Sequence, residues 1–359
     1  MTLPDAPTQH LQVVPLDDAN RAATVDFLRG NDDRPRGRAF ERWRYSDGPS
    51  MEALIALAGD RCVATMFSMR RRWLTPGGPV EALEPFEWHA SEAWRAQAPG
   101  FRIVRQRMRE PRPMIAVAGT DQAADLLRKL KWAEVTSAYK YALPLSGRWL
   151  AMRGRGPAVC AAFDRVGPFV FAPRRVREAG LEVEVAGAYA EEVPALARTQ
   201  RRFALMREPD PVTWAWLQRA PASVGHYVAF HARRGGRLIG WGTGRVFQNG
   251  AVRVGELLEV FCVDAHRDAT AGLVREMSAV LAGFGVDALV ATTTCPDMTT
   301  ALRALRFRPD DIRPVLAWWG PGGVPAGPIL VDGAIGDHAF YPVPPAAAAA
   351  WLEGGAATP

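Results

Sequence analysis

The sequence predicts an α/β fold with a mixed sheet, arranged as two tandem domains that each have a central, mostly antiparallel sheet flanked by helices. Two observations lead to this prediction. One stretch of the chain recurs about 172 residues later, with two carboxylates, an arginine and a glycine at the same intervals. In both copies the strand-like and helix-like segments follow a mixed order, which differs from the strict alternation of a parallel sheet.

The repeat is clearest between ALEPFEWHASEAWRAQAPG (82–100) and VGELLEVFCVDAHRDATAG (254–272). A shift of 172 residues superposes four pairs: Glu84 with Glu256, Glu87 with Glu259, Arg95 with Arg267, and Gly100 with Gly272. Matched spacings over this distance indicate that one structural unit occurs twice in the chain.

Three further correspondences occur in the same order along the chain: 126–132 with 301–307, 60–69 with 236–245, and Trp43 and Tyr45 with Trp214 and Trp216. We therefore predict an N-terminal domain over 1–145, a linker over 146–180, a C-terminal domain over 181–325 and a tail over 326–359.

Local signals place the elements of the first copy. A helix is expected between an Asp cap at Asp18 and a terminating Gly30, and a hairpin turns at Gly59 and Asp60. The other predicted elements are strands at 11–16, 80–90, 113–119 and 137–145, and helices at 98–108 and 121–132.

The second copy predicts a similar series. Its strands are expected at 181–187, 227–245 as a hairpin, 256–263 and 287–294. Its helices are expected at 191–202, 213–220, 271–285 and 299–307.

Composition places the chain among globular proteins, since 48% of its 359 residues are hydrophobic and 23% are charged. No stretch approaches the roughly 20 uncharged apolar residues needed to span a bilayer. The N-terminus also lacks a basic start followed by an apolar run. We therefore predict a cytoplasmic protein without a membrane partner.

Charge and cysteine usage exclude other classes. The net charge is +6, from 44 basic and 38 acidic residues, and the basic residues are spread in short runs, which does not favour nucleic acid as a partner. The four cysteines show no CxxC spacing. Cys262 and His266 lack further ligands at a suitable spacing, so no metal is predicted.

Each copy places an arginine and a glycine between a strand and an apolar helix. The first turn of a helix leaves backbone N–H groups unpaired at its positive dipole end. A glycine there lets a phosphate approach the backbone, and a nearby arginine adds charge. This pattern indicates an anion site at the start of each helix.

These residues and the order of elements resemble the GNAT superfamily of acyl-CoA-dependent N-acyltransferases. That family has the motif [Arg/Gln]-x-x-Gly-x-[Gly/Ala] at this place, and its amides hold the pyrophosphate of coenzyme A. HRDATAG (266–272) and WRAQAPG (94–100) occupy the matching positions. The resemblance covers most of both copies and implies two tandem GNAT domains.

The motif differs between the copies. Asp268 and Thr270 replace glycines in the second copy, and Ala96 and Ala98 replace them in the first. Pro99 also removes a backbone donor from the first copy. The C-terminal domain is therefore predicted to bind acetyl-CoA or another acyl-CoA, through Phe261, Cys262, Val263, Arg267, Thr270, Ala271, Gly272 and Leu273.

The strand before this loop carries the predicted catalytic carboxylates, Glu256 and Glu259. In the family a glutamate on this strand often removes a proton from the attacking amine, since an ammonium cannot attack a thioester. In a regular strand the two side chains point to opposite faces. A β-bulge, which this strand has in GNAT folds where the pantetheine inserts, could bring them to one side.

The family often has a tyrosine on the later helix as general acid, but Leu305, Arg306 and Phe307 stand there in this chain. The predicted function is acyl transfer to a primary amine of a small molecule or peptide, with a glutamate as base. Two alternatives stay open. One is a Fem-type transferase that takes an aminoacyl group from tRNA, and the other is a non-catalytic binding protein.

Overall fold

The computed structural model describes residues 10–31, 37–174 and 178–335. Within these ranges the strands are β1 Leu11–Pro15, β2 Met51–Ala58, β3 Arg61–Thr75, β4 Gly78–Ala90, β5 Met114–Val117, β6 Ala133–Pro144, β7 Glu182–Ala186, β8 Leu205–Arg207, β9 His226–Arg234, β10 Arg237–Asn249, β11 Val252–Cys262, β12 Ala288–Thr293, β13 Arg308–Trp318 and β14 Ile329–Leu330.

The helices are α1 Arg21–Asn31, α2 Arg38–Glu41, α3 Pro99–Arg107, α4 Asp121–Lys129, α5 Gly147–Met152, α6 Pro157–Phe171, α7 Val193–Ala197, α8 Pro211–Gln218, α9 Thr270–Gly283 and α10 Pro296–Ala304. Most were expected from local signals. For example, Thr120 caps α4 by accepting a hydrogen bond from the Ala123 N–H. The segment 146–180, predicted as a linker, contains α5 and α6. Of the predicted tail (326–359), residues 336–359 lie outside the described residues.

All the described strands belong to one mixed sheet, whose main path runs β1-β2-β3-β4-β5-β13-β6-β12-β11-β10-β9-β7. Most neighbours are antiparallel, whereas β4 with β5 and β11 with β12 are parallel. Together with the flanking helices, this confirms the predicted fold class. The two-domain boundaries stay a prediction, and we refer below to a first half, β1–β6, and a second half, β7–β14.

The last long strand of each half pairs with the other half. β13 lies between β5 and β6, with Val315 opposite Val117. β6 in turn pairs with β12, with Tyr139 opposite Thr293. Because these two strands are exchanged, the sheet continues without interruption from one half into the other.

Near its end the chain closes a ring of hydrogen-bonded strands. β8 pairs with β3, and β14 pairs with β8. A bridge between Asp332 and Thr293 then links this segment to β12. One apolar cluster takes side chains from seven strands of this ring: Trp73, Ala82, Ile115, Ala138, Leu205, Val315, Ala317 and Ile329, together with Val331 and Ile335.

A reciprocal contact joins the halves on another face. The rings of Trp43 and Trp216 are stacked with centroids 4.3 Å apart and an interplanar angle of 6°. Each indole N–H donates to the backbone carbonyl of the other tryptophan, at 3.0 and 2.9 Å. The partner of Trp43 under this local two-fold symmetry is Trp216. The repeat in the sequence pairs Trp43 with Trp214, whereas the reciprocal contact pairs it with Trp216.

Shortening the chain tests the role of the C-terminal segment. A chain ending at residue 325 loses the small buried side chain of Ala334 and four large ones: Ile329, Leu330, Val331 and Ile335. Each contributes roughly 1.5–3 kcal/mol, so their sum approaches the whole stability of an ordinary domain. We expect this chain to lose its cooperative unfolding transition in urea, followed by tryptophan fluorescence. A chain ending after Ile335 keeps these contacts and serves as the control. Equal midpoints of urea unfolding for the two chains would contradict a stabilising role of the C-terminal segment.

Candidate functional site

A cleft lies where β3 of the first half faces the second half. Its inner cavity, of about 30 Å³, is lined by Arg71, Tyr189, Arg207, Glu208, Asp210, Thr213, Trp214, Leu217, Thr243, Glu259 and Ala334. A wider outer cleft, of about 460 Å³, continues past Arg71, Glu208 and Asp210, which line both spaces. Since β3, β10 and β11 are fixed in the sheet, the polar groups of the inner cavity sit on a rigid base.

Arg207 stands at the centre of a buried group of charges, the Arg207 cluster, formed by Arg207, Glu84, Glu259 and Asp332. Its Nη2 lies 2.5 Å from Glu259 Oε1 and 3.0 Å from Asp332 Oδ1. Its Nη1 lies 3.8 Å from Glu84 Oε2 and donates to the Ala334 carbonyl at 2.7 Å. Although burial disfavours its charge, the carboxylates raise the pKa of Arg207. The arginine is therefore a permanent cation shared by three carboxylates.

Asp332 is the carboxylate of this cluster whose pKa is clearly raised above its ordinary value. Burial raises the pKa of Asp332 to about 7, and the charges of Glu259 and Glu84 act in the same direction, while Arg207 lowers it. Three carboxylates around one cation leave negative charge in excess. The cluster can therefore exchange a proton near neutral pH.

Tyr189 orients the carboxylate of Glu259. Its hydroxyl donates to Glu259 Oε2. Burial and the nearby charge of Glu259 raise the pKa of Tyr189 well above its ordinary value, so the hydroxyl stays protonated. The Thr243 hydroxyl donates to the same oxygen at 3.3 Å. Glu259 is thus held in one orientation by Arg207, Tyr189 and Thr243.

A β-bulge in β11 determines where the two predicted carboxylates point. Glu256 is opposite Arg245 and Glu259 is opposite Thr243, with the register shifted by Leu258 between them. The extra residue places both side chains on one face. Glu256, however, forms a buried ion pair with Arg245 at 2.8 Å. Of the two glutamates, Glu259 alone lines the cavity.

The predicted cofactor residues at the end of β11 are packed into the protein. Phe261, Cys262 and Val263 are all buried. The Cys262 carbonyl accepts a hydrogen bond from Arg202 Nη2 at 2.5 Å, and the Val263 N–H donates to the Ile239 carbonyl at 2.9 Å. Burial raises the pKa of the Cys262 thiol to about 12. These backbone groups are already used within the protein.

The predicted loop before α9 is also covered. Arg267 pairs with Asp297 at 2.7 Å. Thr270, Gly272 and Leu273 are buried, and Ala271 is half-buried. A Cβ atom added at Gly272 would collide with Leu181 and lie 2.7 Å from Glu178 Oε2. A carboxylate and a leucine of the same chain therefore lie against the start of this helix, where the resemblance predicts a phosphate.

The fork between β11 and β12 is filled by the C-terminal segment. The two strands pair from Val254 to Leu257 and then separate. Within the fork, the Gly333 N–H donates to the Leu258 carbonyl at 3.0 Å, and the Thr294 N–H donates to the Val331 carbonyl at 2.9 Å. Residues 331–333 therefore occupy this fork and use the backbone groups that face it. The cofactor residues expected in the second half stay a prediction.

The equivalent region of the first half is covered differently. β4 and β5 are paired at Leu83 and Met114 and separate beyond that point. The indole of Trp88 donates to the Gly100 carbonyl at 3.2 Å and covers the start of α3. Among the described residues, no backbone hydrogen bond is found from another segment to the open edge of β4 beyond Leu83. The side chains of Trp88 and Ala90, both from β4, therefore lie against this helix start.

The sequence analysis did not identify the cavity residues Arg71, Tyr189 and Arg207, or Asp332 of the Arg207 cluster. They come from β3, from the segment before α7, from β8 and from the C-terminal segment, and none lies in a local motif. The repeat gave one indirect signal, because Glu84 is the counterpart of Glu256 and reaches the same cluster as Glu259.

The described residues contain no group of three or more His, Cys, Asp or Glu side chains placed to hold a metal ion. Their helices include none with the length and apolar character required to cross a membrane.

No protein-family model matches the sequence, and no curated protein matches it significantly. Solved structures do match the fold. N-myristoyltransferase of Saccharomyces cerevisiae with bound myristoyl-CoA has a TM-score of 0.58 at 14% identity, over 89% of this chain and 84% of that one. A GCN5-related N-acetyltransferase from Anabaena variabilis has a TM-score of 0.60 at 8% identity, over 86% and 72%.

A tandem GNAT protein from the clavulanic acid biosynthesis pathway has a TM-score of 0.53 at 14% identity, over 87% of this chain and 99% of that one. At such identities these matches establish the fold alone. The tandem GNAT fold expected from the resemblance is confirmed.

The raised pKa of Asp332 gives a test by pH. The folded protein keeps this proton up to a pH of about 7, whereas an unfolded aspartate loses it near 3.8. Between these values the unfolded state binds fewer protons, so the free energy of unfolding falls as the pH rises. We expect Asp332→Asn to remove this part of the slope in urea unfolding between pH 4 and pH 8.

Asp18→Asn, which changes an exposed carboxylate, serves as the control and should keep the slope of the unmodified protein. Parallel stability curves for the unmodified protein and Asp332→Asn would show that the proton is held elsewhere.

Proposed function

We propose that the protein is an acyl-CoA-dependent N-acyltransferase whose acceptor is the amine of a small molecule or peptide. The observation that carries the proposal is the placement of Glu259, a carboxylate held by Arg207, Tyr189 and Thr243 at the inner end of the cleft. The tandem GNAT fold, which includes structures described as acyltransferases, supports the reaction class.

Glu259 is proposed as the group that takes the proton from the attacking amine. It lines the cavity, whereas Glu256 is held against the buried Arg245. A base must reach the proton it removes, so geometry favours Glu259. Asp332 shares Arg207 with Glu259, and with a pKa of about 7 it can itself bind or release a proton near neutral pH.

The acyl-CoA is proposed to bind in the first half. In the second half, the fork and the helix start are occupied by residues 331–333, Glu178 and Leu181. Their displacement would open the apolar cluster that contains Val331 and Ile335. In the first half the helix start is covered by Trp88 and the small side chain of Ala90. The side chain of Trp88 can rotate away at much lower cost than a packed segment.

The catalytic assignment is tested by a matched pair of glutamate variants. Purified protein is incubated with acetyl-CoA and longer acyl-CoAs and a panel of primary amines, and release of coenzyme A is measured. We expect Glu259→Gln to lower kcat by about 100-fold or more, the range for loss of a general base. Glu256→Gln should leave kcat within a few-fold, provided that circular dichroism shows it folded. A large loss of kcat in Glu256→Gln and a small one in Glu259→Gln would instead assign the base to Glu256.

The cofactor assignment is tested by two arginines that match each other in the repeat. Arg95 and Arg267 lie before α3 and α9, with side chains 74% and 54% exposed. A ligand that binds the folded state raises the melting temperature by mass action. We expect Arg95→Ala to reduce the thermal shift caused by coenzyme A and Arg267→Ala to leave it unchanged. The opposite result would return the cofactor to the second half.

A further inference from the structure

Arg71 is a buried cation at the junction of the inner cavity and the outer cleft. It is 5% exposed and lines both spaces. Its Nη1 donates to the Thr213 hydroxyl and lies 3.5 Å from Asp210 Oδ2. Its Nε is buried without a hydrogen-bond partner among the described residues. A buried donor without a partner is costly, so this atom indicates an unfilled binding position.

The charge of Arg71 is incompletely balanced. Burial lowers the pKa of Arg71 to about 10, although the charges of Glu84, Asp210 and Glu259 oppose this change. Asp210 is itself 41% exposed, which weakens its effect on a buried partner. A carboxylate that hydrogen-bonds the guanidinium from the outer cleft, which Arg71 also lines, would offset part of the cost of this burial.

The sign of the charge changes along the cleft. The inner cavity is lined by three carboxylates and two arginines: Glu208, Asp210 and Glu259, with Arg71 and Arg207. The outer cleft is lined by four arginines and three carboxylates: Arg70, Arg71, Arg72 and Arg198, with Glu81, Glu208 and Asp210. The inner end thus suits an amine, and the part beyond Arg71 suits an anionic group.

We propose that the acceptor is an amine that also carries a carboxylate, bound with its carboxylate on the guanidinium of Arg71 and its amine directed to Glu259. This inference rests on the proposed function and names the class of acceptor. A planar guanidinium presents parallel N–H donors that match a carboxylate, and such charge-assisted contacts give both affinity and orientation.

Matched pairs of acceptors test the inference on the unmodified protein. Glycine and phenylalanine are compared with glycinamide and phenylalaninamide, which keep the amine and lose the charged carboxylate. With a fixed acyl-CoA, we expect kcat/KM for each acid to exceed that for its amide by at least tenfold. Values for the amides equal to or above those for the acids would overturn the proposal.

A variant then assigns the preference to Arg71. Arg71→Gln keeps a polar group and removes the cation, and we expect it to abolish the preference for the acid through a rise in KM. Arg61→Gln, at the exposed start of the same strand, is the control and should keep the preference. If Arg71→Gln folds and still prefers the acid, the anion is bound elsewhere and the proposal fails.

A binding measurement separates this proposal from the proposed function. Isothermal titration with phenylalanine and phenylalaninamide, without acyl-CoA, needs no turnover. Binding of the acid alone, lost in Arg71→Gln, would support the anion site even if no acyl transfer were found. Equal binding of both probes, or of neither, would overturn it even in an active acyltransferase. If Arg71→Gln does not fold, the comparison of acid and amide on the unmodified protein decides.

Discussion

The exchange of β6 and β13 is the constraint on which the rest of the structure depends. Each strand completes the sheet of the other half, so neither half can close its core alone. The exchange fixes β4 and β11 in one continuous sheet and brings Glu84 and Glu259 to the same arginine. A buried group of charges needs such rigidity. The attraction between the arginine and the carboxylates offsets the cost of removing them from water only when their geometry is fixed.

The C-terminal segment has three roles that follow from that frame. Its apolar residues complete the cluster inside the ring of strands, and Asp332 contributes a carboxylate to the Arg207 cluster. The same segment fills the fork of the second half. The apolar core and the charge balance of the Arg207 cluster therefore depend on the same few residues, and the forks of the two halves are covered in different ways.

The repeat, the local caps and the order of elements were sufficient to predict the fold class, since they depend on short-range patterns. The possible bulge near Glu259 was also anticipated, although only from the resemblance. The exchange of strands, Arg207, Asp332 and the filled fork could not be predicted. They depend on pairings between residues far apart in the chain, such as Asp332 with Thr293, for which a single sequence contains no local signal. Glu256 illustrates the limit, because its spacing fitted the family while its partner, Arg245, decided its environment.

The reciprocal stack of Trp43 and Trp216 has an evolutionary meaning. When each of two equivalent residues makes the same contact to the other, the geometry is that of an isologous interface between identical subunits. A homodimer of one ancestral domain, with its last strand swapped, would contain the same stack. Fusion of its two genes would release the copies from the requirement to stay identical, so that one ligand channel could be lost while the other was kept.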